Sequence, residues 1–187
     1  MIFVGIDPGI SGGIAAIDIK GQCIFVKPTP CISIKKNNKK KSDYDVFTMS
    51  NYLRQFVGKE SHVCQELTHA MPGNGGVSMY HFGRGHGIWE GIVGALSLPH
   101  TFCTPQKWKE MYPELAQEKL TKEERALMSA SQVSSWKRKK KAEAKKKSIE
   151  LAKLLFPSIA HEIKQVKHDG MAEALLIANW LRSKHGK

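Results

Sequence analysis

The sequence predicts an α/β layered domain, on three observations. Three short apolar runs separated by turn signals fill the first 27 residues. Strand-like runs then alternate with segments of helical period. The last periodic stretch is apolar nearly all round, as a buried helix is.

Residues 2–7 (IFVGID) are apolar enough for a strand buried on both faces, and they end in an Asp-Pro-Gly turn signal. Residues 12–19 (GGIAAIDI) form a second run, Gly21-Gln22 a tight turn, and residues 23–27 a third run, giving a three-stranded meander. Residues 35–41 (KKNNKKK) hold five lysines in seven positions and read as a solvated loop. In 43–57, Val46, Met49, Leu53 and Val57 recur every three or four residues, a helix with Ser42 or Asp43 as N-cap. Residues 62–66 (HVCQE) read as a strand, 67–79 as a Pro/Gly/Asn-rich loop, and 80–97 as a glycine-interrupted helix. Residues 100–103 follow as a strand, and Thr104-Pro105 opens a short helix containing Trp108. The polar stretch 113–135 lacks a period and reads, with its flank, as an insertion over 113–140; Thr121 and Glu124 are spaced for a capping box there. Residues 136–156 are Lys/Ala/Leu-rich and helical, stopped by Pro157, and 169–184 form the last helix. The 187 residues thus read as one domain carrying an insertion.

The net charge of +12 points to a polyanionic partner. Nucleic acid is favoured over a membrane, because no run approaches ~18 consecutive apolar residues. Cys23, Cys31, Cys64 and Cys103 are scattered, which predicts free thiols in a reducing intracellular compartment. The sequence has no CxxC pair and no HxxxH pair, which argues against structural zinc. The first apolar run lacks a basic flank and contains Asp7 and Pro8, so it does not read as a signal peptide.

Charge runs are usually solvated faces; acids set among apolar residues are more informative, because burying a lone carboxylate is costly. Asp7 ends the first strand, where the sheet opens to a cleft, or merely begins its turn. Glu66 closes a short strand, and taken alone reads as a surface residue. Asp169 and Glu173 are four apart, so both project from one helical face, and Glu173 shares that face with Leu176, Ile177 and Trp180. The helix dipole gives such acids only ~0.3–1 kcal/mol each. That does not offset desolvating two like charges; a divalent cation does. The competing reading is an Asp N-cap with a half-exposed Glu. Four carboxylates without Cys or His suit Mg2+, which prefers oxygen, better than zinc. Two such ions clamp the attacking and leaving oxygens of a phosphodiester.

The run Gly5-Ile6-Asp7-Pro8-Gly9 followed by Ser11-Gly12-Gly13 resembles the opening motif of RuvC-type Holliday-junction resolvases, of the ribonuclease-H-like superfamily. Glu66 falls where that family carries its second acid, and residues 167–178 (KHDGMAEALLIA) resemble its closing motif. The resemblance implies a five-stranded mixed sheet flanked by helices. It also implies a homodimer on a four-way DNA junction that nicks two opposed strands to leave 5′-phosphate and 3′-hydroxyl ends. Asp7, Glu66, Asp169 and Glu173 would then be the catalytic metal ligands for two Mg2+ ions, with Mn2+ able to substitute. Bacterial cellular members use two aspartates three apart in the last helix; the spacing of four and the Glu here look more like phage and organellar members. That favours a phage-infected or bacterial cytoplasm, with an organelle as the alternative. His168, Lys107 and Lys109 are candidates for proton transfer or phosphate contact.

Residues 137–147 (KRKKKAEAKKK) hold eight basic residues in eleven, among them Lys137, Arg138, Lys139, Lys140, Lys141 and Lys145. They suit DNA phosphates, or else a solvated helix or nuclear-localisation-like run. The 35–41 segment is a second basic patch. Gly83, Gly87 and Gly91 recur every four residues, each costing roughly 0.8–1 kcal/mol against alanine, so something packs closely on them. A symmetry-related helix in a dimer and the chain's own sheet are the two options. Met71, Pro72, Tyr80 and Phe82 follow Glu66; Tyr80 is a candidate wedge against unpaired bases, and Phe82 reads better as a core anchor. Competing classes are a related nuclease acting on flaps or hybrids, an actin-like phosphate-binding ATPase (which needs a second lobe), and a non-catalytic basic DNA-binding module.

Overall fold

Strands and helices form largely where the apolar runs place them. The computed structural model describes residues 1–36, 38–67 and 75–185. Its strands are β1 (Ile2–Asp7), β2 (Gly13–Asp18), β3 (Cys23–Pro28), β4 (Cys31–Lys36), β5 (Lys39–Tyr44), β6 (Ser61–Glu66) and β7 (His100–Cys103). The α-helices are α1 (Val46–Arg54), α2 (Gly76–Ala95), α3 (Pro105–Lys109), α4 (Lys122–Ala126), α5 (Ala130–Leu155) and α6 (Asp169–His185). Five strands make one mixed sheet in the order β3-β2-β1-β6-β7. The first three are the antiparallel meander the turns require, and β6 and β7 add in parallel.

Side chains alternate across β1. Val4 and Ile6 join Met49 and Leu53 of α1 and Trp89 and Val93 of α2 in one core layer. Phe3 points the other way, into a layer with Trp108 of α3, Ile149 and Ala152 of α5, and Leu175 and Ala178 of α6. Helices cover both faces, which is why β1 has no polar alternation. Asp7, in phase with Phe3 and Gly5, therefore emerges on the α6 side.

Backbone contact seats α6 on the sheet. A Cβ on Gly5 would run into the Ala174 carbonyl and the Ala178 amide, and one on Gly13 would stand 2.8 Å from Met171 backbone atoms. Gly170 meets Gly12 the same way. Only glycine permits this approach, and it sets the first turn of α6 beside the end of β1.

Several sequence expectations are corrected. The lysine-rich 35–41 segment is not a loop but the tip of the β4–β5 hairpin; Asn37 lies outside the described residues. The hairpin is pinned to α2 by an Arg84–Asp43 ion pair and by the Tyr44 hydroxyl, which donates to the His81 carbonyl. The N-cap of α1 is Asp45, not Ser42 or Asp43: its carboxylate accepts from the Thr48 amide and hydroxyl. Helix α2 begins at Gly76 rather than 80. Helix α5 begins at Ala130 rather than 136, because Ser129 and Gln132 form a reciprocal capping box that a polar stretch hides. The Thr121–Glu124 capping box is present. All four cysteines are free, and Cys64 and Cys103 are buried. Among the described residues, no helix is long and apolar enough to cross a membrane.

Candidate metal centre and nucleic-acid cleft

Asp7 ends β1 and Glu66 ends its parallel neighbour β6, so both acids stand at the carboxyl edge of the sheet. Ligands of open α/β sheets bind at that edge. Asp169 and Glu173 lie one turn apart at the start of α6, which the glycine contacts hold over the same edge. Glu66 is buried, at 9% exposure, so its reading as a surface residue is overturned.

The acids feel one another. Burial pushes the Asp7 carboxyl well above its ordinary range, and the charges of Glu66, Glu173 and Asp169 push it further, against a hydrogen bond from the Gly9 amide. Burial first, then Glu173, raises Glu66 to about 7. The Trp108 indole N–H, which donates to Glu66 Oε1 at 2.7 Å, and the Lys109 ammonium work the other way. Glu173 Oε1 accepts from the Ser148 hydroxyl at 3.1 Å and faces Lys109 Nζ at 3.5 Å. Asp169 Oδ2 pairs with Lys145 Nζ at 2.7 Å, while its Oδ1 is buried without a hydrogen-bond partner among the described residues.

In this conformation no three His, Cys, Asp or Glu side chains among the described residues are grouped to share one ion. Two ammonium groups supply the counter-charge instead. The donor set still fits a hard divalent cation. It is all oxygen, it includes an unpaired buried carboxylate oxygen, and two of its acids resist ionising without added positive charge.

A cleft of about 340 Å³ opens beside Asp169 and Glu173. Lys109, Lys137, Lys140, Lys141 and Lys145 line it, with Trp136 and the 117–118 segment. Arg138 and Lys139 are exposed on α5 but do not line it. Lys107 is also apart, its ammonium 5.9 Å from the Trp180 ring centroid. His168 is engaged locally, its Nδ1 accepting from the Gln165 amide at 3.4 Å. Tyr80 and Phe82 are 66% and 50% exposed, so Phe82 is not a core anchor. Met71 and Pro72 lie outside the described residues. Among the described residues, a Cβ at Gly83, Gly87 or Gly91 would meet nothing within 4 Å, so packing on the described sheet is not the reason for the stripe.

Sequence reasoning missed Trp108, Ser148 and Trp136. Ser148 had a readable signal, a hydroxyl beside Ile149 and Ala152 on the one apolar stripe of a lysine-rich helix. Trp108 was visible only as a helical aromatic; its bond to Glu66 spans 42 residues.

Comparison with protein-family models finds no match, and comparison with curated proteins finds none. Among solved structures, the chain is similar to Thermus thermophilus RuvC in complex with a Holliday junction substrate, at TM-score 0.54 and 14% identity, covering 100% of this chain and 96% of that one. A second Thermus thermophilus RuvC structure matches at TM-score 0.47 and 14% identity, over 100% and 97% of the two chains. The first likeness shows the fold: an α/β, ribonuclease-H-like arrangement of a five-stranded mixed sheet flanked by helices.

Proposed function

We propose that this chain is a divalent-metal-dependent endonuclease that resolves four-way DNA junctions as a homodimer. The observation that carries the reading is the convergence of Asp7, Glu66, Asp169 and Glu173, from three elements, on one edge of the sheet beside a lysine-lined cleft. The shared fold with RuvC supports it, since the similar structure holds a Holliday junction substrate.

Mg2+, with Mn2+ as a substitute and two ions per site, would be held by the four carboxylates; when bound it supplies charge stabilisation for in-line water attack on a phosphodiester. The chain's own residues do the rest. Trp108 and Ser148 fix the orientation of Glu66 and Glu173. Lys109 and Lys145 neutralise Glu173 and Asp169 here, and with a cation held by those acids both ammonium groups would be available to the scissile phosphate. Lys137 and Lys141 hold the flanking backbone, while Lys140 is engaged by Glu118 and Glu143. The products are a 5′-phosphate and a 3′-hydroxyl. The exposed glycine stripe of α2 forms the two-fold seam, and Tyr80 stands free to meet unpaired bases. The chain acts as one nuclease domain with an insertion at 113–140, in a reducing compartment that keeps its four thiols free.

The test is cleavage of a synthetic four-way junction, a flap and a duplex, with and without Mg2+. Paired symmetric nicks on the junction are expected, abolished by Asp7→Asn with binding retained. Equal cutting of all three substrates would sink the resolvase reading while leaving the nuclease.

A further inference from the structure

We propose that the cleft beside the carboxylates is a nucleobase subsite, with Trp136 of α5 as its stacking platform. The proposal rests on the nuclease reading above and adds what the cleft recognises. Residues four apart share a helical ridge. The cleft is lined by two adjacent ridges of α5: Lys137, Lys141 and Lys145 on one, and Trp136, Lys140 and Ala144 on the other. The first is a row of ammonium groups ending on Asp169. The second is different, placing a small residue and a large aromatic where a row meant only for phosphates needs neither.

Trp136 has no structural task that explains it. It belongs to neither core cluster, and it sits half-buried among the exposed residues of the first half of α5. Among the described residues, its one ring contact is the Lys140 ammonium at 5.9 Å from the centroid. That ammonium is itself held by Glu118 at 2.7 Å and Glu143 at 3.0 Å. Glu118 stands on the facing lip and repels phosphate, so the DNA backbone is directed along the other ridge and its base onto the tryptophan. The volume, about 340 Å³, lies at the small end of ligand pockets, which start at roughly 300 Å³. Stacking uses the π-face every base has, so the subsite selects an unstacked nucleotide rather than a sequence. Nine residues of helix separate Trp136 from Lys145, about 13 Å at the helical rise. At about 3.4 Å per nucleotide, the stacked base lies within about four nucleotides of the scissile phosphate.

The test is equilibrium binding of metal-free protein to four-way junctions. An abasic nucleotide is placed singly at each of the first six positions from the branch point. Wild type is expected to lose about tenfold in affinity at one position. Trp136→Ala should show that loss on the intact junction and no further loss at that position; Trp136→Phe should keep most of the affinity. The proposal is overturned if no abasic position matters in wild type, or if its penalty persists undiminished in Trp136→Ala. The expected pattern without nicking in Mg2+ would sink the nuclease reading alone. Normal nicking with Trp136→Ala equal to wild type would sink the subsite alone, and no binding to any DNA would sink both.

Discussion

At Glu66 the chain holds a proton that an exposed glutamate has already lost. Its ordinary value is 4.5, and burial with the Glu173 charge raises it to about 7. A raised carboxyl contributes stability that is full below the unfolded value and is lost as pH rises through the folded one. Glu66 should therefore pull the melting temperature of the metal-free protein down between pH 4.5 and 7, while His62 and His100, lowered by burial, push the other way, so the comparison with a variant isolates it. Glu66→Gln removes the charge and leaves an amide oxygen for Trp108, so its profile should be shallower and its melting point at pH 7.5 higher. At this chain length the gain is ~2–4 °C for each kcal/mol recovered. Asp7, pushed the same way, leaves a residual slope. Saturating Mg2+ should raise the wild-type melting point more at pH 7.5 than at pH 5, because the ligands must be ionised. Thermal melts across pH decide this; parallel profiles for variant and wild type would remove Glu66 from the buried cluster. The Asp169–Glu173 pair was legible because its spacing alone fixes a shared face. The burial of Glu66 was not, because a five-residue strand does not reveal whether its last side chain faces water or a tryptophan from α3, beyond the next strand.

Among the elements, α2 carries an unusual load. Its inner face packs Trp89 and Val93, and Gly85 fits under the Tyr44 hydroxyl and the Pro8 carbonyl. Its outer face is open at Gly83, Gly87 and Gly91. In an isolated chain, alanine at Gly87 and Gly91 should stabilise the helix by ~0.8–1 kcal/mol each. If the stripe is the seam of a dimer, the same two methyl groups should weaken association. Sedimentation across a concentration series, with a melt of the dilute protein, separates these. Unchanged self-association in the double variant would rule the stripe out as the seam. Elements with a clear period were read within a few residues, as β1, β7 and α6 show. The β4–β5 hairpin was missed because lysines at its tip give no alternation; pairing and the Arg84–Asp43 bridge make it a strand pair. The first turns of α5 were missed because their signal is one capping box in a polar stretch.

For the molecule as a whole, the excess of 29 basic over 17 acidic residues is not spread evenly. One dense part of it is α5, whose lysines reach the carboxylate edge. Replacing Lys137 and Lys141 by alanine should flatten the dependence of log affinity on log salt, by about 0.9 for each duplex phosphate that is no longer neutralised. An unchanged slope in anisotropy titrations would mean that this charge serves something other than DNA. The backbone-to-backbone seating of α6 on β1 and β2 also bears on how the molecule comes into being. Asp7 leaves the ribosome ahead of Asp169 and waits through more than 160 residues for it. Until α6 docks through Gly5, Gly13 and Gly170, one core layer lacks its largest contributor, and Asp7 and Glu66 stand at their edge without Asp169 and Glu173. On the proposed nuclease reading, a chain caught partway through synthesis carries its lysines before its carboxylate centre, and should cling to a nucleic acid without cutting it.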